Sequence, residues 1–274
     1  MNPRHDGRFG PKLKAALVAV VPPLILAAAV LGLWELAAQT GWLADELALK
    51  DYIVPAPSEV ATSLWDNRDV LADATWVTLR EVLLGLAVAV VAAVLLAVVQ
   101  HLFPPVRRAV YPFTVASQAI PIVVIAPVLV IWFGFGIGPK IVIVALICFF
   151  PIVVNTLDGL RTADPEQRKL MRSLGAGRWQ TLRMLEAPVA LPYILSGAKV
   201  AVAIAVIGAV FGEWAGTDDS GKGLGYLIQI DNGQLEVARL FASTLILAVM
   251  AVTLFGLLAL AERRLAWWGR GGER

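Results

Sequence analysis

Six stretches of the chain stay apolar for long enough to cross a bilayer, near 15–37, 82–102, 111–134, 139–157, 191–214 and 240–261. The pattern predicts an all-α, polytopic membrane bundle of about six transmembrane helices. The first stretch, Ala15 to Trp34, follows Arg4, Arg8, Lys12 and Lys14. It is longer than a signal-peptide core and no clean small-residue cleavage site precedes Glu35, so it reads as a retained helix. The third stretch contains Pro121 and Pro127, which predict a kink whose freed carbonyls need partners on neighbouring helices. Gly134, Gly136, Gly138 and Pro139 then predict a tight turn into the fourth. Between the first two spans lies a long segment, about 39 to 81. There Ser58 is placed to cap a surface helix running through Val60, Leu64 and Trp65.

Charge placement supplies orientation. With six spans, Arg107, Arg108, Arg161, Arg168, Lys169, Arg172, Arg178, Arg183, Arg263 and Arg264 share a side with the basic N-terminus. The other side holds few basic residues, Lys140 among them, and is rich in acids: Asp45, Glu46, Asp51, Glu59, Asp66, Asp69, Asp73, Asp218, Asp219, Asp231 and Glu236. Basic loops face the cytoplasm, so both termini are expected there. The expected organisation is a cytoplasmic tail over 1–14, a membrane domain over 15–262 with a cytoplasmic loop at about 158–190, and a second tail over 263–274.

Composition agrees: 58% hydrophobic and 16% charged residues, with mean hydropathy +0.74, leave too little polar surface for a soluble globule. The single cysteine, Cys148, sits inside an apolar run and excludes a disulfide framework or a cysteine metal site. His5 and His101 are far apart, and no metal cluster, H-E-x-x-H or G-x-S-x-G motif occurs. No G-x-x-x-x-G-K-[ST] element is present, so ATP hydrolysis by the P-loop route is excluded.

The fourth-to-fifth loop is the most informative segment. Asp164, Pro165 and Glu166 are an N-cap, a proline at the first helical position and an acid in the first turn. Leu170, Met171 and Leu174 fall on one face and Arg168, Lys169 and Arg172 elsewhere. Gly175 and Gly177 permit a sharp change of direction before a second amphipathic piece, Trp179 to Leu185, re-enters the membrane at Pro188. From the residues alone, this helix either docks on a partner or lies on lipid headgroups.

The run Arg172-Ser173-Leu174-Gly175-Ala176, followed by Arg178-Trp179 and by Pro188 to Gly197, resembles the "EAA" loop of binding-protein-dependent ABC importer permeases. Lys169-Leu170-Met171 stands where the acidic-Ala-Ala triplet is expected, and Ala187-Pro188 where Leu-Pro is. The resemblance extends from Pro55 to Arg264. Ile131 to Gly136, Phe149 to Thr156, Asp158 to Arg161 and Gly208 to Trp214 are similar to the branch serving nitrate, sulfonate, taurine and thiamine-pyrimidine importers. Leu170 to Ala176 and Val206 to Val210 look closer to permeases for hydroxymethylpyrimidine-type thiamine precursors or riboflavin.

The resemblance implies a type I importer fold in the bacterial inner membrane, a permease homodimer, a separate ATPase that binds the ATP, and an extracytoplasmic binding protein. No cofactor, metal or nucleic-acid partner is expected. It implies that Asp164, Arg168, Lys169, Leu170, Met171, Arg172, Leu174, Gly175, Ala176, Trp179 and Pro188 form the ATPase-docking loop. In that loop Leu170, Met171 and Leu174 make the apolar contact and Arg168 and Arg172 form its rim.

Polar residues inside spans are costly, so they are candidates for the translocation path. Gln118 beside Pro121 is one, with Trp132, Phe149, Phe150, Asn155, Lys199 and Glu213. Each has a structural alternative: aromatic packing, an interhelical hydrogen bond for Gln118, and interfacial snorkelling for Lys199 and Glu213. Ala201, Ala205, Ala209, Gly208 and Gly212 form rows of small residues suited to close helix packing. A membrane enzyme has no catalytic constellation to work with. A self-contained secondary transporter remains the rival class, distinguished by transport without an ATPase.

Overall fold

Small residues decide where the helices meet. In the computed structural model, which describes residues 10–42, 53–216 and 222–266, Gly85, Ala89, Ala93 and Ala97 are all buried on one face of a single long helix. A Cβ on Gly85 would come 2.5 Å from the Val144 side chain. On another helix, a Cβ on Gly197 or Gly208 would come 2.9 Å from Asn155 or Ile147, respectively. Without hydrophobic driving force in lipid, such close backbone approach is what holds helices together.

The elements are α1 (Gly10–Gln39), α2 (Pro57–Asp66), α3 (Arg68–Leu102), α4 (Pro104–Ala116), α5 (Ile122–Phe133), α6 (Ile137–Arg161), α7 (Pro165–Ser173), α8 (Arg178–Thr181), α9 (Ala187–Ala215), α10 (Leu224–Gln234) and α11 (Val237–Leu265). There is no strand among the described residues. The central helix is α6, flanked by α3 and α9, with α11 packed against α9. The buried core runs through Val144, Cys148, Ile152, Val153 and Leu157 of α6. Cys148 is fully buried, its thiol directed at the Ala201 carbonyl. Ala201, Ala205 and Ala209 are buried in the α9 seam, the packing role expected of them. By contrast α1 is peripheral, touching the rest through Trp34 against Phe241 and through Glu35, which accepts hydrogen bonds from the Ser58 amide and hydroxyl.

Five helices are long and apolar enough to span a membrane, and a bent pair makes a sixth. That pair corrects the expected third span. Rather than one kinked helix, α4 and a 3₁₀ turn at Ser117–Ala119 meet α5 at 102°. The break is at Ile120 and Pro121, both extended, while Pro127 is accommodated inside α5. The residue before proline is pushed out of the helical region, and proline cannot donate back to the preceding turn. Gly134 and Gly136, at φ +76° and +123°, then make the turn into α6.

The surface helix α2 forms where expected, with a different cap. Ala56 precedes it and its amide is taken by the Glu59 carboxylate. Ser58 lies one residue inside the helix and serves Glu35 instead. At 35 residues α3 is about 52 Å long and extends the predicted second span well beyond the bilayer at its N-terminal end. The acidic stretch at 43–52, Asp218 and Asp219, the first nine residues and the tail from Trp267 lie outside the described residues.

Candidate functional site

The loop between α6 and α9 is built as its residues demand. Asp164 caps α7, its carboxylate accepting from the Glu166 amide at 2.8 Å, and Pro165 opens the helix. Gly175 ends it at φ +78°, a left-handed conformation that costs any residue with a Cβ. Gln180 reaches back to the Gly177 amide at 2.8 Å to start α8. A π turn at Leu182–Glu186 joins α8 to α9, so Pro188 falls in the first turn of α9.

No residue of α7 is buried. Leu174 is 74% exposed, and Leu170, Trp179 and Met184 are exposed with it, an apolar surface on a loop otherwise rich in arginine. Met171 is half-buried, Ala176 faces a cavity, and Lys169 pairs with Glu166 one turn away. Arg168 departs from its expected place at the rim. It turns inward, donating from Nε to Glu186 at 2.7 Å and from Nη2 to the Leu160 carbonyl at 2.8 Å. Glu186 is the stronger magnet because it is buried, and its other oxygen meets His101 Nε2 at 2.8 Å. Neither Glu186 nor this use of His101 was visible in the sequence. The available signal was a carboxylate two residues before Pro188, just short of an apolar run.

The elbow between α4 and α5 opens a second cavity of about 530 Å³. Gln118, Pro121 and Phe149 line it together, with Phe113, Thr114 and Ser117. Among the described residues no charged side chain lines it. Ser117 and Thr114 donate to backbone carbonyls of their own helix, leaving their oxygens as acceptors, and the Gln118 amide is exposed.

The other path candidates do not join this cavity. Trp132 projects from α5 and is exposed, Phe150 is half-buried, and Asn155 donates to the Pro151 carbonyl of its own helix. Lys199 neither snorkels freely nor stands alone, because it pairs with Glu262 of α11.

Glu213 does not snorkel to the surface; it is buried in a charged cluster at the end of the bundle opposite the loop. Its carboxylate accepts from Thr78 Oγ1 at 2.6 Å and from the Tyr226 amide at 2.9 Å, while Thr78 Oγ1 accepts from the Leu224 amide at 2.8 Å. Beside it, Lys140 Nζ lies 3.0 Å from Glu81, both 1% exposed. Gly223 makes the approach possible: a Cβ there would fall 2.1 Å from the Glu213 carboxylate. The cluster fastens the start of α10 to α3, α6 and α9. In the sequence Lys140 stands out only as a loop charge, and nothing local marks Glu81 or Thr78.

A core with α6 between α3 and α9, a capped loop helix on one end and a charged clamp on the other can be compared with known proteins. Residues 85–267 match the family of binding-protein-dependent transport system inner membrane components. The chain belongs to this family. A formylaminopyrimidine transport permease of Halalkalibacterium halodurans is 34% identical over 86% of this chain and 91% of its own length. A riboflavin transport system permease of Chloroflexus aurantiacus is 40% identical over 59% of each chain. Permeases named for aliphatic sulfonates and for taurine are also related. Among solved structures, the inward-facing MetNI methionine ABC transporter matches with a TM-score of 0.61 at 19% identity, covering 74% of this chain and 98% of that one. At that identity the likeness speaks to the fold alone. The protein is thus a multi-pass ABC importer permease subunit of type I fold.

Proposed function

We propose that this permease forms the path for a small, uncharged heteroaromatic solute, of the thiamine-pyrimidine or riboflavin kind. An extracytoplasmic binding protein delivers the solute and a separate ATPase docks on the α7–α8 loop. The loop faces the cytoplasm with both termini, as its arginines require, and two copies of the permease enclose the path. The observation that carries the coupling role is the α7–α8 surface: α7 buries none of its residues, and Leu170 on it, Leu174 at its end, Trp179 on α8 and Met184 in the π turn are all exposed. A lipid-lying helix needs its apolar face along the membrane plane; here the exposed apolar side chains are divided between the two sides of the Gly175 turn.

The solute class rests on the elbow cavity. Its about 530 Å³ suits a small ring system. Phe113 and Phe149 offer ring faces and Gln118 hydrogen bonds. A sulfonate or nitrate entering the same space would leave its hydration shell without a cation to meet it, a cost of several kcal/mol. Uptake into proteoliposomes holding the complete transporter, with labelled hydroxymethylpyrimidine, riboflavin and taurine, tests the reading. Transport of a heteroaromatic that falls roughly tenfold in Gln118→Leu supports it. Taurine transport unaffected by Gln118→Leu assigns the sulfonate reading.

A further inference from the structure

One link joins the docking helix to the bundle. Among the described residues, Arg168 is the single side chain of α7 that hydrogen-bonds to another helix; Lys169 and Ser173 bond within α7, and Asp164 caps it. Its two contacts go to different elements. Nε meets Glu186, in the π turn that opens α9, and Nη2 meets the Leu160 carbonyl in the last turn of α6. Glu186 in turn meets His101, in the last turn of α3. One guanidinium and one carboxylate therefore tie α7 to the same ends of the three helices that form the core. Behind α7 a cavity of about 570 Å³, lined by Arg172, Arg178 and Thr181 as well as the bracket, takes the place of apolar packing. A helix with no buried face transmits displacement only through its chain ends and its polar contacts.

We propose that Arg168 and Glu186 are the positioning residues that turn movement of the docked ATPase into movement of the path helices. The pair suits that task. Its members are largely shielded, at 24% and 8% side-chain exposure, and the guanidinium is held in two directions at once. A π turn, which widens the backbone by one residue per turn, sets Glu186 facing inward, and such turns recur at functional positions. The basic surface left on Arg172 and Arg178 stays outside the bracket and has no partner among the described residues.

The proposal rests on the α7–α8 loop being the ATPase dock, and the experiment separates the two. The complete transporter is reconstituted with wild-type permease, Glu186→Gln, Arg168→Ala, Arg168→Lys or Leu174→Asp. ATPase retained through purification, ATP hydrolysed and solute moved per ATP are then measured. Glu186→Gln and Arg168→Ala are expected to retain the ATPase within about twofold while solute moved per ATP falls about fivefold or more. Arg168→Lys keeps the charge and loses the second contact, so it falls in between and replaces Glu186→Gln if that variant does not fold. Leu174→Asp is expected to shed the ATPase. Unchanged solute per ATP in the bracket variants overturns the proposal, as does ATPase loss matching that of Leu174→Asp. An ATPase that stays bound to Leu174→Asp removes the docking reading itself.

Discussion

Lys140 is the largest fully buried side chain among the described residues, and its pairing with Glu81 shows how much of the site lies beyond sequence patterns. Both residues sit next to apolar runs, where a charge ordinarily reaches water. Their partners come from helices far apart in the chain, so no local spacing marks them. Removing one member leaves the other buried without its ion-pair partner. Lys140→Met is expected to destabilise the permease by about 3–5 kcal/mol, whereas Glu81→Leu combined with Lys140→Met recovers most of that loss. Thermal unfolding in detergent checks both. The Gly223 position is equally sensitive: in Gly223→Val the new side chain displaces the Glu213 carboxylate and frees the start of α10, lowering the unfolding midpoint again. The same blindness applied to Glu186. Arg168 was legible as a loop residue, but its direction was set by a carboxylate at the far end of the loop.

At the scale of elements, periodicity and breakers carried most of the information. The cap at Asp164, the proline opening α7 and the turn at Gly175 lie where the residues place them, because each acts within one turn of chain. The span near 111–134 was harder to read. Two prolines in an apolar run predict a disturbance, yet only tertiary packing decides between a kink and a right-angled break. Here Pro121 breaks the helix and Pro127 is absorbed. Pro121→Ala restores an amide donor and relaxes the restriction on Ile120, so α4 and α5 are expected to straighten toward each other. Transport is then expected to fall about tenfold with little loss of the folded protein, read by uptake beside thermal unfolding. Gly175→Val forces a β-branched residue into a positive-φ turn at a cost of about 1–2 kcal/mol. Because α7 is exposed, that cost should appear as weaker ATPase retention and not as global unfolding.

For the whole molecule, the apolar spans and the uneven distribution of arginine made the bundle legible from sequence, and the helix arrangement follows from the small residues of α3 and α9 against α6. What the chain alone did not reveal is which end each charge serves, since the clamp around Glu213 and the bracket around Glu186 both assemble from distant segments. Orientation is open to direct test. Cys148 is buried and should resist a membrane-impermeant thiol reagent. In the Cys148→Ala background, Trp179→Cys is expected to react only from the cytoplasmic side and Asp69→Cys only from outside. The most direct measurement is solute uptake into proteoliposomes carrying this permease with and without its ATPase and binding protein. Uptake that requires both, and that Leu174→Asp abolishes together with ATPase retention, is the predicted result; uptake by the permease alone would contradict it and make the chain a self-contained carrier.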